Sequence, residues 1–217
     1  MKTLLSWSSG KDSAWTLHRL RADPRYEVVG LVTTINAAAE RVAMHAVRTE
    51  LLERQADAVG LPLWRVDIPS PCSNEEYEAA MSGLVRRAER EGVRAFAFGD
   101  LFLQDVREYR ESKLAGTALT PIFPLWGSNT RTLIREMLDG GLRARLTCVD
   151  PRVLDARFAG RDLDEALLAE LPEGVDPCGE RGEFHTFAYD GPMFREPLAI
   201  QTGIVVERDG FVFADVF

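Results

Sequence analysis

The apolar positions of the chain change period several times, and each change predicts an element. Lys2 to Trp7 is an apolar run, which predicts a buried first strand. Asp12 to Arg21 then sets Ala14, Leu17 and Leu20 at helical steps. Glu27 to Thr33 predicts a second strand. Glu40 to Val59 predicts a helix, with Val47, Leu51, Leu52, Ala56 and Val59 on its stripe, closed by Gly60 ahead of Pro62. Leu63 to Ile68 predicts a third strand. Ser73 and Glu76 have the spacing of a capping box, in front of a stripe that runs from Tyr77 to Ala88 and stops at Gly92. Arg94 to Phe98 predicts a fourth strand that runs into Gly99-Asp100, with a helix carrying Arg107, Arg110 and Glu111 after it.

Strands alternating with helices of this length predict a parallel sheet with right-handed crossovers, so the fold class is α/β. Ligands of such sheets bind beyond the carboxyl ends of the strands. That rule gathers Ser8–Ser13, Thr33–Asn36, Pro69–Ser73 and Gly99–Asp105 on one rim. Further on, Thr120 to Leu125 predicts a fifth strand, Thr130 to Leu138 a helix closed by Gly140-Gly141, and Leu142 to Val149 another strand. The pattern then becomes mixed. Asp164 to Leu171 predicts a short helix, and Asp209-Gly210 joins Val205–Arg208 and Phe211–Ala214 as a hairpin.

The chain has 217 residues, long for one domain and short for two full ones, and its apolar fraction of 46% supports a proper core. A formal net charge of -8 counts against a nucleic-acid partner, whose phosphates call for a basic surface. Cys72, Cys148 and Cys178 are widely spread with no C-x-x-C, so neither a zinc site nor a dithiol motif is indicated. Their odd number and the lack of a secretory leader fit a reducing, cytoplasmic setting. No apolar run approaches the roughly 20 residues of a membrane span.

The chemistry concentrates in Ser8-Ser9-Gly10-Lys11-Asp12-Ser13, between the first strand and the first helix. Such a turn aims backbone N–H groups and the positive end of the helix dipole at whatever lies above it, which suits a phosphate. It is neither a Walker A loop nor a dinucleotide fingerprint. The alternative is an ordinary capped turn, since serine and aspartate are common at helix N-termini. Asp12 suits a magnesium ion or the helix dipole; Asp100 suits a metal or a turn. Thr33 borders a ligand or simply builds a strand. Arg107 and Arg110 share a helix face and suit a phosphate or carboxylate, whereas Arg107 and Glu111 also have ion-pair spacing. Glu180 and Glu183, among glycines, suit a cation or ammonia, or else a solvated acidic turn. His185 can exchange protons near neutral pH. His45, with no ligand set around it, reads as structural.

The order of residues in the loop resembles the S-G-G-x-D-S loop of the PP-loop ATP pyrophosphatases, with Ser9 where the second residue is usually glycine. Ala97-Phe98-Gly99-Asp100-Leu101, Asp105-Val106-Arg107, Arg110-Glu111, Pro124-Leu125-Trp126-Gly127 and the string from Asp176 to Thr186 extend the likeness. Together they resemble the diphthine–ammonia ligase (diphthamide synthetase) family, which carries a G-E-N-G-E-[YF]-H-T string. Arg181 stands at the asparagine of that string, and Tyr109 stands near an expected arginine.

The resemblance implies an adenine nucleotide α-hydrolase-like, Rossmann-like domain and an ATP-dependent reaction. A carboxylate is adenylated, pyrophosphate leaves, and ammonia attacks to give an amide and AMP. Ser8, Ser9, Gly10, Lys11, Asp12, Ser13, Thr33, Gly99 and Asp100 would then hold ATP, with Mg2+ on Asp12 and Asp100. Arg107, Glu111, Glu180, Glu183 and Thr186 would face the acceptor, and Lys11, Asp12, Glu180, Glu183 and His185 would carry the catalysis. The acceptor is a small-molecule or modified-protein carboxylate, diphthine or another. A homo-oligomer stays open, and no membrane partner is expected. We expect a nucleotide-binding domain over 1–126 and a smaller α+β region over 127–217. A tRNA-modifying PP-loop enzyme and a non-catalytic adenine nucleotide sensor are the alternatives.

Overall fold

The computed structural model describes residues 1–36, 41–42, 47–69 and 71–217. Its first half alternates strand and helix: β1 (Lys2–Ser6), α1 (Lys11–Ala22), β2 (Glu27–Asn36), β3 (Arg41–Val42), α2 (Thr49–Val59), β4 (Leu63–Ile68), α3 (Asn74–Arg90), β5 (Ala95–Ala97), α4 (Gln104–Leu114) and β6 (Thr120–Ile122). Strands β4, β2, β1, β5 and β6 lie side by side in that order, all parallel. The short β3 pairs antiparallel with the end of β2. The direction in which strands are added reverses between β1 and β5, and an open sheet leaves a crevice beyond its carboxyl ends at that switch point. The architecture is α/β and consistent with an adenine nucleotide α-hydrolase-like fold.

The second half comprises α5 (Thr130–Asp139), β7 (Arg143–Val149), a 3-10 turn (Ala156–Phe158), α6 (Glu165–Glu170), β8 (Phe184–Asp190), β9 (Thr202–Arg208) and β10 (Phe211–Val216). Its strands form an antiparallel sheet in the order β8-β7-β10-β9. Asp209 and Gly210, both at positive φ, make the tight turn between β9 and β10, as a hairpin of matching twist requires.

Two apolar clusters flank the parallel sheet. On one face Leu4, Trp64, Phe96 and Phe98 pack against Leu84 and Ala88 of α3 and Leu114 of α4. On the other, Trp7, Leu17, Leu51 and Leu52 join Leu133 and Met137 of α5 and Phe184 and Phe187 of β8 in one continuous core. That core runs through both sheets, so α1 contacts β1, β2 and β8 at once. Each large side chain buried this way contributes roughly 1.5–3 kcal/mol relative to exposure.

Local signals set several boundaries. Ser73 Oγ accepts from the Glu76 amide at 3.2 Å while Glu76 Oε2 accepts from the Ser73 amide at 2.9 Å, the expected capping box. The helix expected from Glu40 begins instead at Thr49, and residues 41–42 are strand. Its apolar stripe starts only at Val47, and pairing with the end of β2 supplies the backbone partners that a helix would otherwise provide. β2 runs on to Asn36 because β4 pairs with it along Leu31–Asn36. His45 lies outside the described residues.

Candidate active site

The loop after β1 is shaped by one unusual residue. Ser9 has φ +68°, in the left-handed region that favours glycine. Its carbonyl accepts from the Ala188 amide at 2.9 Å and from Gln55 Nε2 at 3.0 Å, and its hydroxyl donates to the Ser8 carbonyl. Gly10, extended, caps α1, and Ser13 Oγ donates back to the Gly10 carbonyl at 2.9 Å. The hydroxyls of Ser8 and Ser13 lie 3.3 Å apart, and Gly10 N approaches Ser8 Oγ at 3.4 Å. The amide of Lys11 donates to Thr186 Oγ1 at 3.1 Å. The second sheet thus grips the loop of the first through β8.

Lys11 points into protein. Its Nζ donates to Asp12 Oδ2 at 2.7 Å and to the Cys178 carbonyl, and stands 5.7 Å from the Phe184 ring centre. Burial disfavours its charge, but Asp12, with help from Cys178 and Glu180, outweighs burial and raises the lysine pKa. Burial also pushes the Asp12 carboxyl up, against the pull of the Lys11 ammonium. Asp12 Oδ1 is buried and has no hydrogen-bond partner among the described residues. Such an oxygen is costly unless a ligand satisfies it.

Gly99 brings the end of β5 against the first turn of α1. A Cβ there would lie 3.1 Å from the Asp12 carbonyl carbon and 3.1 Å from Thr16 Oγ1. The next residue, Asp100, receives Arg110 Nε at 2.6 Å and Nη2 at 3.1 Å, and that guanidinium sits 4.5 Å from the Phe98 ring centre.

The segment before β8 folds over this junction. Glu180 Oε1 accepts from the Leu101 amide at 2.7 Å, and the Glu180 amide donates to Asp176 Oδ2 at 3.0 Å. Burial pushes the Glu180 carboxyl up to about 7, opposed by the Leu101 amide and reinforced by Asp12. Glu183 uses its oxygens differently: Oε1 accepts from the Asp176 amide at 3.0 Å and Oε2 from the Arg181 amide at 2.9 Å. Burial, with the Lys11 charge adding to it, holds His185 down at about 4, so its ring is neutral at pH 7.

The structure therefore joins Ser8, Ser9, Gly10, Lys11, Asp12, Ser13, Gly99 and Thr186 by direct contact, and Glu180 comes near them through its bond from the Leu101 amide. Asp100 adjoins them through Gly99. Thr33 is buried and donates to the Trp7 carbonyl at 2.6 Å. Arg107 and Glu111 are engaged with each other at 2.7 Å, and the Arg107 guanidinium lies 4.9 Å and 4.7 Å from the ring centres of Phe123 and Trp126. Sequence reasoning missed Gln55, which is wholly buried on α2 beside the loop. Its signal was a polar residue four positions after Leu51 and four before Val59, inside an apolar stripe.

Among the described residues no group of three His, Cys, Asp or Glu side chains could hold a metal alone. Magnesium needs fewer when phosphates share the ion, and Asp12 Oδ1 fits such a role. Asp100 fits less well, because Arg110 takes both of its oxygens. No described helix is long and apolar enough to cross a membrane.

Comparison with known proteins follows the same two halves. Residues 1–114 match the family model of the diphthamide synthase N-terminal domain, and residues 129–212 match that of the diphthamide synthase C-terminal domain. The chain is similar to a diphthine–ammonia ligase of Homo sapiens, 29% identical over 236 residues, covering 96% of this chain and 86% of the relative. A diphthine–ammonia ligase of Danio rerio is 29% identical over 230 residues, covering 96% and 90%. One of Schizosaccharomyces pombe is 24% identical over 227 residues, covering 96% of this chain and 37% of that longer protein. With matches through both sheets and every segment of the loop-centred site, the chain belongs to the diphthamide synthase family.

Proposed function

We propose that the chain is an ATP-dependent, AMP-forming amide ligase that adenylates a carboxylate, diphthine or a related acid, for attack by ammonia. The observation that carries this reading is the strand–loop–helix turn with Ser9 at positive φ and Asp12 Oδ1 buried without a partner. A turn of that shape presents successive amides to an anion. The triphosphate lies over the first turn of α1, on the amides of Gly10, Asp12 and Ser13 and the hydroxyls of Ser8 and Ser13. Lys11, held as an ammonium, stabilises charge on the departing pyrophosphate. Asp12 would hold a Mg2+ ion, which when bound would supply Lewis-acid neutralisation of the same charge.

In the second step the ammonia nitrogen forms a bond to the acyl carbon, the bond from that carbon to the AMP oxygen breaks, and the nitrogen gives up a proton. In this reading Glu180 takes it, supported by a pKa raised to about 7. Glu183 acts by holding the loop that carries Glu180. Thr186 acts by fixing the Lys11 amide, and His185 acts as a neutral group in the wall. Arg107, Glu111 and the Asp100–Arg110 pair form the approach for the acceptor. In this reading residues 1–126 serve the nucleotide and 127–217 complete the acceptor side. The three free cysteines support a reducing, cytoplasmic compartment.

The test is ATP binding and AMP formation in Lys11→Ala and Asp12→Asn, with ammonium and candidate acids. Asp12→Asn should keep part of the binding and lose turnover, and Lys11→Ala should lose both. AMP formation unchanged in both variants would defeat the mechanism.

A further inference from the structure

Gln55 is the residue whose position the proposed chemistry has not used. It is wholly buried, yet each of its side-chain polar atoms is engaged. Oε1 accepts from Trp7 Nε1 at 2.9 Å, which fixes which way the amide faces. Nε2 then donates to the Ser9 carbonyl at 3.0 Å and to the Ala188 carbonyl. One side chain therefore ties together the end of β1, the loop and β8.

The geometry of one peptide bond gives this tie a consequence. The peptide between Ser9 and Gly10 is planar and trans, so its carbonyl and its N–H point in opposite directions. The carbonyl is turned inward, onto Gln55 and the Ala188 amide. The Gly10 N–H is thereby turned outward, to the side where the Ser8 hydroxyl lies at 3.4 Å and contacts Ser13. That is the side on which the hydroxyls of Ser8 and Ser13 gather. The cost of this orientation falls on Ser9, whose Cβ opposes a positive φ. Glycine at this position would hold the shape without help. Serine needs an external clamp.

We infer that Gln55 is a positioning residue for nucleotide binding: it clamps the Ser9 carbonyl inward so that the Gly10 amide faces the phosphate. The inference rests on the reading of this loop as the ATP site. It makes Ser9 and Gln55 a coupled pair, one strained and the other holding the strain in place.

The experiment is calorimetric titration of α,β-methylene ATP with Mg2+ into the full chain, in wild type, Gln55→Met, Ser9→Gly and the double variant. Gln55→Met keeps the volume and removes the donor. Of the three hydrogen bonds it removes, the one to the Ser9 carbonyl bears on the loop, and its loss should weaken binding about tenfold. Ser9→Gly should strengthen the Gln55→Met background about fivefold and shift the wild type by a clearly smaller factor, because only in the former is the left-handed conformation unsupported. Circular dichroism melts of all four show which are folded. Should Gln55→Met fail to fold, Trp7→Phe, which removes the N–H that orients the Gln55 amide together with part of the buried indole, takes its place in the same cycle, with about a threefold loss restored by Ser9→Gly. Undiminished binding in the clamp variant, or an equal effect of Ser9→Gly in both backgrounds, overturns the inference. Absence of binding by the wild type would instead overturn the ATP reading beneath it.

Discussion

The amide of Lys11, at the start of α1, donates to the hydroxyl of Thr186 on β8 at 3.1 Å, across 175 positions of sequence. Both groups are buried. The contact ties the second sheet to the loop over Ser8–Ser13. Thr186→Val keeps the shape and removes the acceptor, leaving a buried N–H unsatisfied. We expect a loss of about 1–3 kcal/mol in urea unfolding, and Thr186→Ser should recover most of it.

Gly99 predicts a steric effect that depends on a single methyl group. Gly99→Ala places a carbon 3.1 Å from both the Asp12 carbonyl carbon and Thr16 Oγ1. The first turn of α1 must then move away from β5. Overpacking of this kind costs about 1–3 kcal/mol. ATP affinity should fall more steeply than the melting temperature, because under the proposed function the displaced turn carries the amides that meet the phosphates. Titration and calorimetric melting of the same variant check the comparison.

Two half-buried groups act on the pH dependence of stability from opposite sides. Glu180 has an ordinary value of 4.5 and a folded value of about 7, so between them the folded chain holds a proton that the unfolded chain releases. Its contribution is present below 4.5 and is lost as the pH rises through 7. His185 has an ordinary value of 6.5 and a folded value of about 4, so its contribution is present above 6.5 and is lost as the pH falls through 4. Glu180→Gln should therefore be more stable than wild type at pH 7 and above, with the difference narrowing toward pH 4.5. Unfolding by urea across a pH series reads the difference.

The cysteines should react in a fixed order. Burial pushes the Cys178 thiol up to about 12 and the Cys148 thiol up to about 11. Cys72 is partly exposed. Since the thiolate is the reactive form, iodoacetamide should label Cys72 in the native chain and reach the other two only after unfolding. Peptide mass mapping at intervals gives the order.

What was legible in the sequence was what short-range chemistry fixes. The capping box at Ser73 and Glu76, the Asp209-Gly210 hairpin and the strand–loop–helix at Ser8–Ser13 each declare themselves within a few residues. The departure of Ser9 from glycine also marked a real feature, since its φ of +68° is what glycine would have supplied. The roles of Gln55 and Glu183 were not legible. Gln55 Nε2 reaches partners 46 and 133 positions away, and no local pattern encodes a carbonyl at that distance. Glu183 read as a chemical group because it lies three residues from Glu180, yet both its oxygens are used by the backbone around it. The strand β3 escaped notice because two residues are too few to show a period, and its partner in β2 fixes it.

The clasp of β8 on the loop over Ser8–Ser13 has a consequence for the order of synthesis. A ribosome delivers Lys11 early and Thr186 only 175 codons later, so a nascent or prematurely released chain carries the loop without its fastening. Such fragments leave the Lys11 amide without its Thr186 acceptor.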